Sequence, residues 1–477
     1  MIKSLFLAKI YGISEVLDTF YLANVFTITI FNVIGIAITT VLIPEFSSNE
    51  MVEENEKSKK GIRSYLSIIN IITVIFACLV IVFLSLTKQI VIPKFSEKNQ
   101  NYFIMILVIL MIGQIFRIQT AFSTAIVQSK NEFISSKFAT FISALIPVVY
   151  LFISPNVNIV LLSLFLSISY LVESIIMVFY QRKKDKYNYR FKIELKNDLT
   201  KKLLFNTIPI IVSSAVFQIQ ILFSNYMVGF FGGGYISVLS NTNQIIGIFQ
   251  ILFISNIISM LYPKISREIK QNLKGNIYKV TKYINLTNVL ILLLVWGYIS
   301  LGEDLIRLLF VRGNFTISDA NLVYKFGIYL VLALPISVVR DYCYRIFYSI
   351  DCVQIPTKNA ISTVIVNICL IIVLKNFFGP FSVVIAPLIG TVFSTINIIR
   401  KMKNMEINLN ISWILFFYLL FNLIGFIMYT FSLQIRVVMF HPVINFAVNT
   451  FISCVIYCSI TFLCSLIYTK IKGERYV

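Results

Sequence analysis

Apolar residues fill this chain in long unbroken runs, not at every second or every third to fourth position. The runs cover approximately 17–43, 64–86, 102–127, 133–153, 159–180, 203–230, 235–262, 280–300, 322–350, 358–374, 381–399, 411–432 and 443–468. A helix that crosses a bilayer needs roughly 20 such residues, whereas a helix on a soluble core carries only an apolar stripe. Thirteen runs are long enough to cross, and residues 1–11 add a shorter apolar piece. The expected fold is an all-α polytopic membrane protein of about 14 transmembrane helices.

The pattern is written twice. "VLIPEFSS", Val41 to Ser48, returns as "MLYPKISR", Met260 to Arg267, each closing a long apolar run. "DTFYLANVF" from Asp18 aligns with "SVLSNTNQI" from Ser237, so that Asn24 meets Asn243 and Pro44 meets Pro263. "QSKNEF" from Gln128 aligns with "YSIDCV" from Tyr348 at nearly the same offset. Six spans separate the copies, so both run in the same sense across the membrane. Parallel repeats of this kind build transporters, with substrate sites near the midplane between lobes. The division that follows is an N-terminal lobe over 1–181, a basic cytoplasmic linker over 182–202, a C-terminal lobe over 203–400, and an additional helix pair with a cytoplasmic tail over 401–477. In the repeat, residue 1 aligns deep inside the 203–230 span. The first helix is therefore short, and a piece too short to cross favours a true start further upstream.

Composition agrees with the pattern. Hydrophobic residues make up 58% of the 477 and charged residues 13%, against about 25% charged in average soluble domains. Mean hydropathy is +0.86. The net charge of +20 would point to nucleic acid in a soluble protein, but its distribution excludes that. Most of the Lys and Arg fall in the 44–63, 181–202, 263–282 and 400–410 loops and the C-terminus. The alternate loops hold only Lys88, Lys94, Lys98, Arg307, Arg312, Lys375 and Arg436. Cytoplasmic loops are the Lys/Arg-rich ones, so the C-terminus is expected inside the cell, and the basic excess faces anionic lipid. The seven cysteines have no metal-ligand spacing, and Cys454, Cys458 and Cys464 on one helix have no His or carboxylate beside them. They read as small buried hydrophobes. No cofactor is expected. "FGGG", Phe231 to Gly234, lacks the Lys-Ser/Thr of a phosphate loop and reads as a tight turn between spans.

Polar side chains inside apolar helices carry the chemistry. An arginine at a helix centre costs roughly 2.5–3.5 kcal/mol on insertion scales and normally faces protein or water. Gln114, Arg117, Thr120, Thr124 and Gln128 fall on one helix face, as do Ser337, Arg340, Asp341, Tyr344, Arg345 and Tyr348 in the equivalent span. Two such stripes, one in each lobe, would line a hydrated cationic cavity. Asp341 and Arg345 are also spaced to pair along their own helix. Pro335, one turn before Arg340, removes a backbone hydrogen bond and should bend the helix, which suits a moving gate or a packing kink. A second pair of stripes is Asp18, Tyr21, Asn32, Gly35 and Thr39 against Ser237, Ser240, Gln244 and Ser255. These groups can hydrogen-bond sugars or tie helices together. Glu173 stands as a lone carboxylate in the 159–180 span, suited to a coupling ion or a polar contact.

"AKIYGISEVLDTFYLANVF", Ala8 to Phe26, followed by "AITTVLIPEFSS", resembles the opening of the MurJ/MviN family of lipid II flippases, within the wider superfamily of multidrug, oligosaccharidyl-lipid and polysaccharide exporters. Tyr235 to Ser266 is similar to that family's eighth-helix signature. The resemblance implies alternating access, a cationic central cavity for a lipid diphosphate, and a groove beside the last two helices for the lipid tail. Asp18 matches the Asp of the family's Asp-aromatic motif. The family's second-helix arginine falls near Phe31 or Asn32 and its eighth-helix arginine at Gln244, while its first-helix arginines would lie before Met1. Arg117, Arg340 and Arg345 could supply the missing charge, an inference from this sequence and not a family correspondence.

The function expected is translocation of a polyprenyl-diphosphate-linked glycan, lipid II or a similar precursor, across a bacterial cytoplasmic membrane. The candidate substrate residues are Arg117, Arg340, Arg345, Asp341, Asp18, Asn32 and Gln244. The partners are the lipid-linked glycan and membrane lipids, with a coupling ion or the membrane potential as driving force. Alternatives are a lipid-linked polysaccharide repeat-unit exporter, a cation-coupled multidrug exporter centred on Asp18, Glu173 or Asp341, and a non-transporting scaffold. An enzyme is disfavoured: the single histidine, His441, sits at a span edge, and no paired carboxylates share a site as acid–base chemistry requires.

Overall fold

The computed structural model describes residues 2–48, 56–130, 132–154, 156–184, 190–438 and 441–473, and every regular element among them is helical. Twelve stretches of these residues are long and apolar enough to cross a membrane. One of the twelve, Gln354–Asn404, is two helices joined by a short 3-10 turn. The chain is therefore a multi-pass membrane protein. It divides into two compact units, Met1–Ser237 and Val238–Val477.

The first unit contains α1 (Ile2–Tyr11), α2 (Glu15–Ser48), α3 (Glu56–Val91), α4 (Glu97–Ser129), α5 (Ile134–Ile153), α6 (Ile159–Lys184) and α7 (Asp198–Gly229). α4 is its spine, packed between α2 and α6. The close approach of α4 and α6 depends on Gly113, where a Cβ would lie 2.6 Å from the backbone Cα of Ser167. Ser167 then reaches the Ile109 carbonyl at 2.7 Å, a small-residue contact of the kind that joins helices in lipid. α7, expected to open the second lobe, packs against α2 and α3. Its N-cap Asn197 accepts from the Leu199 and Thr200 amides and donates to the Lys57 carbonyl at 3.0 Å. Thr200 donates to the Gly61 carbonyl at 3.0 Å, and Tyr65 and Thr207 share a buried hydroxyl contact of 2.9 Å.

The second unit begins in the first turn of α8 (Tyr235–Phe249), whose opening residues belong to the first. A π-helical turn, Gln250–Ser255, leads into α9 (Asn256–Gln271). Then come α10 (Leu273–Phe310), α11 (Ile317–Leu332), α12 (Leu334–Ser349), α13 (Gln354–Phe378), α14 (Ser382–Asn404), α15 (Ile411–Gln434) and α16 (Pro442–Gly473). Thr316 and Asp319 form a reciprocal capping box that starts α11. α13 and α14 close on each other at Gly390, where any Cβ would collide with the Asn367 amide oxygen. α15 and α16 pack on α10 around Leu292, Phe421, Ile424, Met428 and Tyr457. Trp296 donates to Asn422 at 3.2 Å and Tyr457 to the Val289 carbonyl at 2.9 Å.

The repeat is visible in the helix starts. α2 and α8 begin at Glu15 and Tyr235, α4 and α11 at Glu97 and Ile317, α5 and α13 at Ile134 and Gln354, all at one spacing. One expectation needs correction. The repeated prolines close apolar runs but do not end their helices: Pro44 lies inside α2 and Pro263 inside α9. The lost amide bond is one defect in long helices otherwise held by packing. The span expected over 322–350 is present as Ile317–Ser349, and the helix changes at Ala333, with Pro335 in the first turn of α12, where the proline was expected to bend it. Within the apolar helices, hydroxyls return to the preceding turn. Thr73 reaches Ile69 and Thr207 reaches Leu203, both at 2.7 Å, satisfying polar groups that lipid cannot. The six cysteines whose side chains are described are all unpaired, and the Cys464 side chain lies outside the described residues.

Candidate functional site

Within the first unit, α2, α4, α5 and α6 enclose a polar cavity of about 270 Å³. The α4 stripe lines it as its periodicity predicts, with Arg117, Thr120, Thr124 and Gln128 all at the wall. From α2 come Asn32, Gly35 and Thr39. Gln114, the fifth member of the α4 stripe, is buried and accepts from Arg117 at 3.2 Å. The Arg117 guanidinium stands over the Tyr170 ring of α6, 5.4 Å from its centroid. No carboxylate forms an ion pair with Arg117 among the described residues, so most of its five N–H donors remain available to a ligand.

The structure adds residues that periodicity did not single out. Ser136, Lys137 and Thr140 at the start of α5 close the cavity opposite α2. Glu173 of α6 also lines it, one carboxylate oxygen accepting from Thr140 at 2.7 Å. Nothing in the sequence marks Lys137, because its place in the Arg117 cavity depends on how α5 packs. The arrangement offers two cations, one carboxylate and a ring of hydroxyls and amides. That chemistry can hold an anionic, hydroxyl-rich group.

Asp18 lies away from this cavity, at the other end of α2. It is fully buried and accepts from the Gly234 amide at 2.5 Å, the Ser237 amide at 2.7 Å and the Ser237 hydroxyl at 2.5 Å. A carboxylate facing exposed amides at a helix start satisfies their hydrogen bonds and their dipole together. The neighbouring glycines make this fit: Gly232 and Gly234 have φ of 130° and 97°, a region side chains rarely enter.

In the second unit, Arg340 pairs with Asp341, its neighbour in the chain, at 2.9 Å, and lies 5.8 Å from the Tyr344 ring centroid. The Asp341–Arg345 pairing that helical spacing allowed is not the one formed. Arg345 instead stacks over Tyr262 at 4.9 Å and Tyr348 at 6.0 Å, so the α12 arginines are held by aromatic faces. Gln244 is half-buried on α8. Beside this group, Asn359 binds Tyr344 at 3.0 Å and Ser394 at 2.9 Å, and Asn397 donates back to it at 2.7 Å, a buried network joining α12, α13 and α14. A larger cavity, about 530 Å³, opens in this unit beside Asp304, Arg307, Arg436 and His441. Its arginines are already committed, Arg307 to Glu303 at 2.6 Å and Arg436 to Asp304.

The fold is shared with solved structures. A solved structure described as lipid II flippase MurJ in an inward closed conformation superposes with a TM-score of 0.82 at 22% identity, covering 98% of this chain and 96% of its own. An inward-facing multidrug resistance transporter of the MATE family gives a TM-score of 0.67 at 12% identity, over 85% and 93%. The probable lipid II flippase MurJ of Rickettsia prowazekii (strain Madrid E) is 22% identical over 381 residues, 77% of this chain and 73% of that protein. Residues 7–452 match the family described as Lipid II flippase MurJ, so nearly the whole chain, both copies of the repeat included, belongs to that family.

Proposed function

We propose that this protein carries a polyprenyl-diphosphate-linked glycan, lipid II or a close relative, from the inner to the outer leaflet of a bacterial cytoplasmic membrane by alternating access. The observation that carries the reading is Arg117: a guanidinium midway along an apolar helix, lining a polar cavity and free of any acid partner among the described residues. A cation in mid-span without an anion is costly, and an incoming diphosphate would relieve that cost by bidentate charge-assisted hydrogen bonds. Phe31 and Asn32, near which the family's second-helix arginine is expected, both line the same cavity, so Arg117 supplies the charge there. The hydroxyls and amides around it suit a sugar. Arg340 and Arg345, with Asp341 and Gln244, would serve the same substrate from the second half of the repeat, and Asp18 would hold the start of α8 in place.

The repeat supports residues 1–181 and 203–400 acting as two lobes, joined by 182–202, with 401–477 as an addition. The distribution of Lys and Arg supports a cytoplasmic C-terminus. Glu173, hydrogen-bonded to Thr140, is the group in the cavity suited to a coupling cation or proton. A cationic drug is the poorer cargo, because Arg117 and Lys137 would repel it.

The test is complementation of a bacterium depleted of its own lipid II flippase. The chain should restore growth, and Arg117→Ala combined with Arg340→Ala should not, at equal membrane expression. Growth supported by the double variant would overturn the assignment.

A further inference from the structure

The segment joining α6 to α7 has a feature that transport does not explain. Residues 190–194 lie along α3 without regular structure, pinned by two buried serines, and lead into a turn in which the Asn197 amide donates to the Glu194 carbonyl at 3.2 Å. The Lys192 amide donates to Ser67 at 3.1 Å and the Glu194 amide to Ser64 at 2.7 Å. Every second residue of this segment, Phe191, Ile193 and Leu195, is large and apolar. They stand 65%, 48% and 62% exposed. A row of large apolar side chains on an open loop is a liability in water.

The pins fix the depth of this row. Ser64 and Ser67 lie where the apolar run of α3 begins, just after Lys57, Lys59, Lys60 and Arg63. The row therefore lies at the boundary between headgroups and acyl chains. The polar residues of the strap and its flanks are mostly cationic: Arg190, Lys192, Lys196, Lys201 and Lys202 against Glu194 and Asp198. Lys192 pairs with Glu194 and Lys202 with Glu45, which leaves Arg190, Lys196 and Lys201 against Asp198 alone.

We propose that residues 190–197 form an interfacial anchor, with Phe191, Ile193 and Leu195 inserted among the lipids and the neighbouring cations bound to anionic phospholipid headgroups. Charge complementarity selects the occupant: apolar insertion alone would accept any lipid, whereas this cationic surround favours a negatively charged leaflet.

The full-length protein carrying Ile193→Trp, a conservative change at an exposed site, tests this in nanodiscs. Its added tryptophan emission, taken as the difference from the parent, should be blue-shifted and quenched by shallow brominated lipids. Quenching should be at least about twofold stronger in phosphatidylglycerol than in phosphatidylcholine. That difference should vanish in Ile193→Trp combined with Arg190→Gln, Lys196→Gln and Lys201→Gln. Raising salt from about 0.1 M to about 1 M, which shortens the screening length from about 10 Å to about 3 Å, should shrink it too. Equal quenching in both lipids would overturn the anionic selectivity. Blue-shifted emission without bromolipid quenching would overturn the anchor altogether, since the row would then be covered by protein.

Discussion

Replacing Arg117 by Met separates a substrate ligand from a structural cation by the size of its effect on stability. The guanidinium makes one hydrogen bond, to Gln114 at 3.2 Å, and one cation–π contact, with Tyr170 at 5.4 Å. Losing a charged hydrogen bond costs about 1.5–3 kcal/mol, and losing the ring contact costs about 0.5–1 kcal/mol. Against this, removing an arginine from mid-span returns roughly 2.5–3.5 kcal/mol of insertion penalty. The two sums nearly cancel, so Arg117→Met should unfold within about 1 kcal/mol of the parent. Transport should behave differently. A guanidinium bound to a diphosphate contributes about 1.5–3 kcal/mol, so the rate at low substrate should fall about 10- to 100-fold. Arg117→Lys keeps the charge but loses the planar fork, and should fall between. The assay is leaflet exchange of fluorescent lipid II in proteoliposomes, paired with denaturant unfolding of the same preparation. A variant destabilised by several kcal/mol, with activity lost in proportion, would show that Arg117 holds the fold. Parental exchange rates would remove it from the site.

Other residues give equally definite expectations. Asp18→Ala leaves the Gly234 and Ser237 amides without their acceptor, at about 1–3 kcal/mol each. It should lower unfolding stability by about 2–5 kcal/mol, and a Ser237→Ala background should shrink the loss. Gly61→Val places a Cβ 2.8 Å from the Asn197 amide oxygen and 3.1 Å from Leu199. Displacing that N-cap should cost about 1–3 kcal/mol and speed hydrogen exchange at 197–200, with little change further along α7. Glu173→Gln can keep its contact with Thr140 while losing its charge. If Glu173 binds the coupling ion, the variant should bind lipid II normally but lose the pH or sodium dependence of exchange; an unchanged dependence would exclude that role.

The sequence by itself determined which segments enter the membrane, because a bilayer demands length and apolarity from each helix alone. It also determined the duplication, since the helix starts at Glu15 and Tyr235, and at Glu97 and Ile317, follow one spacing, and it gave the α4 stripe, whose members lie on one face of a single helix. Only tertiary structure decided what that stripe meets. Lys137, Thr140 and Glu173 come to Arg117 from separate helices, and nothing in their local sequence encodes the meeting. The pairing of Asp341 was also beyond periodicity, which allowed Arg345. Aromatic faces from α9 and α12 captured Arg345 and left Arg340 to the carboxylate. A helix fixes neighbours three and four residues apart by its own geometry, whereas contacts between helices depend on small residues such as Gly113, where a second backbone comes close, and Gly390, which makes room for the Asn367 side chain.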